Sequence, residues 1–450
     1  MARNAIERPP GPSGLPLFGN TFAFVRDPLA ALQRWANEYG DIAYLRFPGR
    51  STYLLTDPEH IERVLVTESH TFTTGDLRRD AFSGIEDESL AVSEGQTWQR
   101  QRQQLQPGFY RKRITSNAET MVKHVEQTVD RWPIGTTIDV MREMDRLTLA
   151  ILTTTLFDHE MHENQAVVRT AVDTLIQQTD YSEIGTIIPN WIPTPANRRF
   201  QQATNDLHSL IEDLIRERRH TDTDGDDLLS LLVGTDDTTD ADGGLSGTEL
   251  RDNIVGLLLA GHETSALALT YTWYLLSKNP AARRQLHTEI ADVLDGTAPT
   301  ADQLPELEYT EQVLLESMRL YPPIYGIARE PVTDVTIGGY TVPAGATITI
   351  PQWVVHHDGR FYDDPDAFRP ARWSAERDSE RPEFAYFPFG GGPRHCIGDQ
   401  FALMEMKLVL ATIAQRVSLE LVSDAPLDFT ASVTTRPTAP IEMVVRDDTV

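Results

Sequence analysis

Residues 389–398 read Phe-Gly-Gly-Gly-Pro-Arg-His-Cys-Ile-Gly, and a helix is predicted to start near Asp399. Cys396 is the only cysteine of the 450-residue chain, so it has no partner for an intramolecular disulfide. Its place at the start of a helix puts it near free backbone amides and the positive end of the helix dipole, which favour a thiolate. Glycines beside it would let the backbone approach a flat macrocycle closely. The segment therefore predicts a ligand site built on a cysteine thiolate.

The segment resembles the cysteine-ligand loop of the cytochromes P-450, whose pattern is Phe-Gly-x-Gly-x-Arg-x-Cys-x-Gly, and every fixed position is met. The resemblance implies that Cys396 is the metal ligand of haem b (iron protoporphyrin IX) and that Phe389 lies beside this cofactor. It also implies the family's fold, which is mainly α with a small β region. In that helix-rich triangular prism, the haem lies between a long distal helix and the proximal cysteine loop.

A second motif, Ala-Gly-His-Glu-Thr-Ser at residues 260–265, lies inside a strongly apolar stretch with helical spacing. A threonine in the middle of a helix can turn its hydroxyl onto the carbonyl four residues back, here from Thr264 to Ala260. The resemblance implies that this helix crosses the distal face of the haem, with Ala260 and Gly261 bordering the oxygen pocket. It also implies that Glu263 and Thr264 relay protons, which makes them the expected catalytic residues.

Glu316 and Arg319 stand three residues apart on one face of a predicted helix, a spacing that allows an ion pair. Most such pairs are solvated and contribute little to stability. Together with the downstream segment around Arg372, however, they resemble the family's Glu-x-x-Arg pair and the arginine that joins it. The resemblance implies that these three residues form a buried ionic triad, which fixes the cysteine loop and takes no part in the reaction.

The propionates of a haem need hydrogen-bond donors. Trp98 and Arg102 stand four residues apart on one predicted helical face, so the indole N–H and the guanidinium could reach one carboxylate. The family uses this spacing for that purpose, and Arg329 and Arg394 match two further propionate-binding positions. The resemblance therefore implies four donors to the cofactor's carboxylates.

The resemblance also gives positions that line the substrate pocket: Ser89, Leu90, Ala260 and Ile324. Their mostly apolar character predicts a hydrophobic substrate such as a lipid, a fatty-acid-like molecule or an isoprenoid. The expected reaction inserts one oxygen atom from O2, with electrons from an external ferredoxin or flavodoxin and its reductase. Two alternatives stay open: a haem-thiolate enzyme that uses peroxide, and a non-catalytic haem protein that binds a ligand.

The charge of the chain is far from neutral, with 67 acidic and 40 basic residues and a formal net charge of −27. Only four of the basic residues are lysines. This combination suggests a halophilic, haloarchaeal-type source, in which dense counterions screen the surface. An ordinary acidic cytosolic protein is the alternative interpretation. The excess of negative charge argues against nucleic acid as a partner.

A local basic cluster, formed by Arg100, Arg111, Lys112 and Arg113, is a candidate docking face for an acidic electron carrier. A solvated helix surface explains the same residues equally well. The N-terminus has no signal-peptide pattern, and no apolar run reaches the roughly 18 residues that a membrane span needs. We therefore expect a cytoplasmic monomer without a membrane anchor.

Residues 1–450 are expected to form a single domain, with a β-rich N-terminal part over about residues 1–70 and a helix-rich remainder. Alternating residues around Pro-Gly-Arg predict a hairpin over residues 42–55. Apolar residues recur at helical spacing from about 97 to 278. The Asp-, Thr- and Gly-rich stretch at 221–247 predicts a connector between helices.

Overall fold

The computed structural model of the chain describes residues 8–158, 164–179, 192, 194–220, 227–236, 244–374 and 381–447. Helices predominate within these ranges, because apolar side chains recur at the helical spacing that buries one face of each helix. The α-helices are α1 (Thr21–Arg26), α2 (Pro28–Tyr39), α3 (Pro58–Glu62), α4 (Asp76–Ala81), α5 (Gly95–Leu105), α6 (Arg111–Thr115), α7 (Ala118–Val129), α8 (Val140–Phe157), α9 (Gln165–Thr179), α10 (Pro195–His220), α11 (Leu228–Asp236), α12 (Gly247–Lys278), α13 (Pro280–Leu294), α14 (Glu308–Leu320), α15 (Gln352–Val355) and α16 (Asp399–Arg416).

The strands are short and form four small sheets. They are β1 (Ile42–Phe47), β2 (Arg50–Leu55), β3 (Phe72–Thr73), β4 (Thr137–Asp139), β5 (Ile327–Pro331), β6 (Val335–Ile337), β7 (Tyr340–Val342), β8 (Thr347–Ile350), β9 (Val417–Leu421), β10 (Phe429–Ala431), β11 (Thr435–Pro437) and β12 (Glu442–Asp447). The largest sheet has five strands in the order β1-β2-β8-β5-β3. The expected fold class, mainly α with a small β region, is confirmed.

The hairpin predicted near the N-terminus forms between β1 and β2, with Ile42 opposite Leu55 and Phe47 opposite Arg50. Strand β2 continues the sheet by pairing in parallel with β8, which pairs antiparallel with β5. The sheet is therefore built from two distant parts of the chain and is not confined to residues 1–70. That N-terminal part also contains α1, α2 and α3, so it is less β-rich than the sequence predicts.

Helix α12 runs through the centre of the molecule and packs against α8, α10, α14 and α16. It begins with a capping box, in which the Ser246 side chain accepts from the Glu249 N–H and the Glu249 side chain accepts from the Ser246 N–H. Among the described residues it is the one helix long and apolar enough to cross a membrane. However, 72% of its most apolar window is buried inside the protein. Its composition is that of a core helix.

The stretch predicted as a connector contains a helix. Residues of α11 such as Leu228, Leu229 and Leu232 are buried, because their apolar side chains pack beside α5, α8 and α12. Residues 221–226 and 237–243, on either side of α11, lie outside the described part of the chain. The connector is thus interrupted by a packed helical segment.

Candidate functional site

The cysteine loop closes on itself just before α16. The Cys396 N–H donates to the carbonyl of Phe389 at 3.0 Å. Gly390 and Gly392 have φ angles of 74° and 67°, a left-handed conformation that favours glycine. A side chain on Gly392 would overlap the carbonyl oxygen of Leu65. The glycine spacing of the motif is therefore required by the shape of the loop and by its packing.

The Cys396 side chain is accessible to solvent, although protein atoms crowd around it. Burial raises the pKa of its thiol, against the N–H of Gly398 and the positive charges of Arg102 and Arg78, which lower it. The net direction is opposite to the one expected from the helix start alone, because desolvation outweighs these groups. A further cation at the sulfur, such as the iron of a haem, would favour the thiolate.

One face of α12 is accessible although most of the helix is buried. Ala260 is exposed, and Gly256 and Thr264, four residues to either side, are half-buried. This spacing puts the three residues on one face. Thr264 Oγ1 donates to the Ala260 carbonyl at 2.7 Å, as its mid-helix position predicts. An accessible face of small residues inside the core, together with an accessible cysteine thiol, fits a flat macrocycle.

The same turn of α12 is also held by α8. A side chain on Gly261 would come within 3.0 Å of Leu152, so the glycine lets the two helices approach closely. His262 Nε2 lies 3.4 Å from Asp145 Oδ1. His262 is fully buried, and Asp145 is 8% exposed. Burial lowers the pKa of His262, but the hydrogen bond and charge of Asp145 outweigh it and raise the pKa overall. The pair is therefore a buried polar contact between α8 and α12.

Glu263 is engaged by residues near the C-terminal hairpin. Its Oε1 accepts from Thr434 Oγ1 and from Arg436 Nε, both at 2.7 Å. Arg436 in turn donates to Asp173 of α9 at 3.1 Å. Sequence reasoning missed these partners, because a contact across more than 170 residues has no local pattern. The Glu263 carboxylate is thus directed to the β10–β11 hairpin, whereas Thr264 lies on the accessible face of α12.

Three arginines and a tryptophan gather at one edge of the site. Burial, together with the positive charges of Arg78 and Arg394, lowers the pKa of Arg329 to about 9. The Arg394 guanidinium lies 4.9 Å from the centre of the Trp98 ring and pairs with Glu94. Like charges this close together are stabilised by an anion. The cluster therefore fits the carboxylates of a haem.

Arg102 and Arg78, of which Arg78 also belongs to this cluster, border the cysteine loop. Arg102 Nη1 donates to the carbonyl of His395 at 3.0 Å, next to the cysteine. Arg78 of α4 was not predicted as a site residue. Arg78 is exposed to solvent, but protein atoms surround its guanidinium, and the resulting desolvation lowers its pKa. The negative charges of Glu86, Glu94 and Cys396 act in the opposite direction. Arg78 and Arg79 stand side by side in a short polar helix, which is the sequence pattern of surface charges, so no signal could have identified Arg78.

Glu316, Arg319 and Arg372 form one buried ionic cluster. Glu316 accepts two hydrogen bonds of 2.9 Å from Arg319 and one of 2.9 Å from Arg372 Nε. The indole N–H of Trp373, which the sequence did not single out, donates to the same carboxylate at 2.9 Å. Glu316 and Arg319 have no exposed surface, and Arg372 has only 6%. The carboxylate is therefore fully satisfied by buried donors.

This ionic cluster is connected to the start of the cysteine loop. Arg319 Nη1 donates to the carbonyl of His356 at 2.7 Å. The His356 ring Nε2 accepts from the N–H of Phe387 at 3.1 Å, two residues before Phe389. Burial lowers the pKa of His356 well below its ordinary value, so the ring is neutral and able to accept. A continuous path of buried contacts thus joins α14 to the loop.

The predicted pocket residues lie in different environments. Leu90 and Ile324 are half-buried, whereas Ser89 is 1% exposed and lies against Gly256 of α12. Beside it, Glu86 is 2% exposed, and burial raises the pKa of its carboxyl to about 7. Sequence reasoning missed Glu86, because an acidic residue in a polar loop is ordinarily solvated.

The basic cluster predicted as a docking face is smaller than expected. Arg100 donates to Gly244 O and pairs with Glu249, at the start of α12. It is therefore occupied by an internal contact, which the sequence could not reveal. Arg111 and Lys112 are exposed.

The cysteine loop of this helical protein leads directly into the largely buried helix α16, and a cluster of arginines lies beside the loop. This is the construction of a haem-thiolate enzyme. A family model described as Cytochrome P450 matches residues 9–445. The chain belongs to the cytochrome P450 family and is a monooxygenase of that family. Members of the family bind haem b through a cysteine thiolate, and Cys396 is the only cysteine available.

Three curated relatives are similar over nearly their whole length. Cyclooctatin synthase of Streptomyces melanosporofaciens is 36% identical over 412 residues, which cover 90% of this chain and 88% of that protein. Cyclooctat-9-en-7-ol 5-monooxygenase of the same organism is 34% identical over 410 residues, with the same coverage of 90% and 88%. Pentalenene oxygenase of Streptomyces avermitilis is 33% identical over 424 residues, or 93% of each chain.

Proposed function

We propose that the chain inserts one oxygen atom from O2 into a terpenoid, with electrons from an external ferredoxin or flavodoxin and its reductase. The observation that carries the proposal is the accessible face of α12, on which small residues lead to the back-bonded hydroxyl of Thr264. Such a face leaves room for O2 and for a hydrophobic substrate. The three relatives, whose names refer to cyclooctatin, cyclooctat-9-en-7-ol and pentalenene, support a terpenoid.

Cys396 would hold the haem iron, with Phe389 beside the macrocycle. When bound, a thiolate-ligated haem supplies the O–O bond cleavage that permits oxygen insertion into C–H bonds. The propionates would be bound by charged and indole donors of this chain. These donors are Trp98, Arg102, Arg329 and Arg394, to which we add Arg78.

Ala260 and Gly261 would border the oxygen pocket, while Thr264 and Glu263 would deliver protons. The Thr264 hydroxyl can pass its proton to a distal acceptor if it gives up the Ala260 carbonyl. Glu263 can take up a proton from solvent and pass it to Thr264 only when its carboxylate leaves Arg436 and Thr434. We therefore propose that release of the Glu263 carboxylate from Arg436 and Thr434 precedes proton delivery.

The proposal is tested by screening terpenoids against the purified holoenzyme. A molecule that enters the pocket displaces the iron-bound water and changes the haem absorbance, which gives a Kd. Each molecule that binds is then incubated with O2, a reduced surrogate ferredoxin and its reductase. We expect a hydroxylated product that carries one atom of 18O from labelled O2. Product formation from peroxide, and none from O2 with the reduced carrier, would overturn the proposed function.

Replacing Thr264 with alanine is expected to uncouple electron consumption from product formation. Without the hydroxyl, proton delivery is misdirected, so that several times more of the electrons appear as hydrogen peroxide. Product, peroxide and oxidised carrier are measured in the same reaction. Thr272→Ala is the matched control, because Thr272 makes the same bond to the carbonyl four residues back, at 2.7 Å, but is fully buried. Unchanged coupling in Thr264→Ala contradicts the assigned role.

We further propose that the protein works as a monomer in a salt-rich cytoplasm, as its charge of −27 suggests. Raising KCl from 0.1 M to 2 M shortens the Debye length from about 10 Å to a few ångströms and screens the repulsion between acidic residues. The thermal unfolding midpoint of the holoenzyme should therefore rise by several degrees. Sucrose at equal osmolality serves as the control for solute exclusion, which is independent of charge. An equal rise in both solutes would reject the electrostatic explanation.

A further inference from the structure

The segment between α4 and α5 is fixed against α12 by side chains of that helix. The backbone N–H of Glu88 donates to Asp252 at 2.9 Å, and that of Leu90 donates to Asn253 at 2.8 Å. Gln101 of α5 donates to the carbonyl of Glu88 at 2.7 Å from the other side. This segment is therefore held in one position over the start of the accessible face of α12.

Glu86 lies in the same segment, with its carboxyl against Gly256. A Cβ on Gly256 would overlap Glu86 Oε2, so only glycine admits the carboxyl at this point of the helix. Oε2 is buried and has no hydrogen-bond partner among the described residues. An unsatisfied buried polar atom is destabilising, so native proteins seldom retain one without a function.

Gly256 begins the row of accessible residues that continues through Ala260 to Thr264. With a rise of 1.5 Å per residue, Gly256 is about 6 Å from Ala260 and about 12 Å from Thr264 along the helix axis. Gly256 itself is half-buried, so the accessible face extends to the place where Glu86 touches the helix. A substrate lying along this face would have one end at Glu86 and the other beside Thr264.

We propose that Glu86 determines specificity by forming a hydrogen bond with a hydroxyl group at the remote end of the substrate. The inference rests on the proposed function and narrows its substrate class to terpenoids that already carry a hydroxyl. A neutral hydroxyl suits the surroundings better than an ion does. Arg78 disfavours a cation, whereas Asp87 and Asp252 add to the negative charge near Glu86 and disfavour a carboxylate.

The test compares an alcohol with the hydrocarbon that lacks only its hydroxyl, beginning with cyclooctat-9-en-7-ol and its deoxygenated skeleton. The Kd of each is measured by haem absorbance for the wild-type holoenzyme and for Glu86→Met and Glu86→Gln. The wild type should bind the alcohol about tenfold more tightly, a factor typical of one buried hydrogen bond. Glu86→Met, which keeps the length without the polar atoms, should bind both equally, and Glu86→Gln should keep part of the preference.

Glu88→Gln is the matched control, because Glu88 is a near neighbour with an exposed side chain and should leave the preference unchanged. An intact reduced carbon-monoxide spectrum shows that each variant is folded around its haem. Equal affinity of the wild type for alcohol and hydrocarbon, or a preference that survives in Glu86→Met, overturns the inference while terpenoid oxidation stands. If no terpenoid of either kind binds or is oxidised, the proposed function fails and the inference with it.

Discussion

Replacing Cys396 with serine is expected to remove the reduced carbon-monoxide spectrum of the wild-type holoenzyme and to lower substrate oxidation to background. A serine hydroxyl is too weak an acid to be ionised at neutral pH, so the iron loses the anionic sulfur whose electron density promotes O–O cleavage. The effect should be all-or-none, because the chain has no second cysteine. The spectrum and the product yield are measured on the same purified sample.

His395→Ala is the control for this variant. The His395 side chain is next to the cysteine: its Nδ1 lies 3.1 Å from the carbonyl oxygen of Cys396 and 3.9 Å from Asp399, and its ring centre lies 6.3 Å from that of Phe389. Its loss should leave the spectrum in place. A wild-type spectrum from Cys396→Ser would show that the sulfur is not the iron ligand, and the proposed chemistry would have to be abandoned.

Replacing Glu316 with glutamine is expected to lower the free energy of unfolding by about 3–5 kcal/mol, the usual consequence of breaking a buried ion pair. The neutral amide leaves Arg319 and Arg372 as buried cations without their counter-ion. Because the cluster is joined through His356 to Phe387, the cysteine loop should also lose its fixed position and the haem content should fall. Denaturant unfolding and haem per polypeptide are measured together.

Glu308→Gln provides the comparison, since Glu308 lies on the same helix α14 but is exposed. Its effect should stay below about 1 kcal/mol, as for exposed charges generally. If the two variants lose similar amounts of unfolding free energy, any substitution on α14 is destabilising and the buried ionic cluster has no special role. If Glu316→Gln is destabilised but keeps its full haem content, the ionic cluster does not position the cysteine loop.

Local features of the site are well predicted from the sequence. The bond from Thr264 to the Ala260 carbonyl follows from helix geometry alone, since a threonine and the residue four places before it are always neighbours there. The turn at Gly390 and Gly392 follows in the same way from the conformations that glycine permits. The family pattern then supplies the expected cofactor.

Contacts between distant segments could not be predicted in this way. Glu263 meets Arg436 only because the C-terminal hairpin packs over α12, and Arg78 joins the other arginines only through the placement of α4. Local reasoning also failed for the thiol of Cys396, where the favourable helix start is outweighed by desolvation from the whole fold. In each case the deciding quantity is burial, which depends on tertiary packing.

Adjacent residues of α12 are attached to two different neighbours: His262 to Asp145 of α8, and Glu263 to Arg436 beside the C-terminal hairpin. Successive residues of a helix point about 100° apart, so rotation of α12 about its long axis would break at least one of these polar contacts. The accessible face of α12, from Gly256 to Thr264, is consequently held in one orientation. Differences in substrate shape among close relatives should therefore arise by exchange of residues in the segment above it, 82–92, while the turn at 260–264 stays constant.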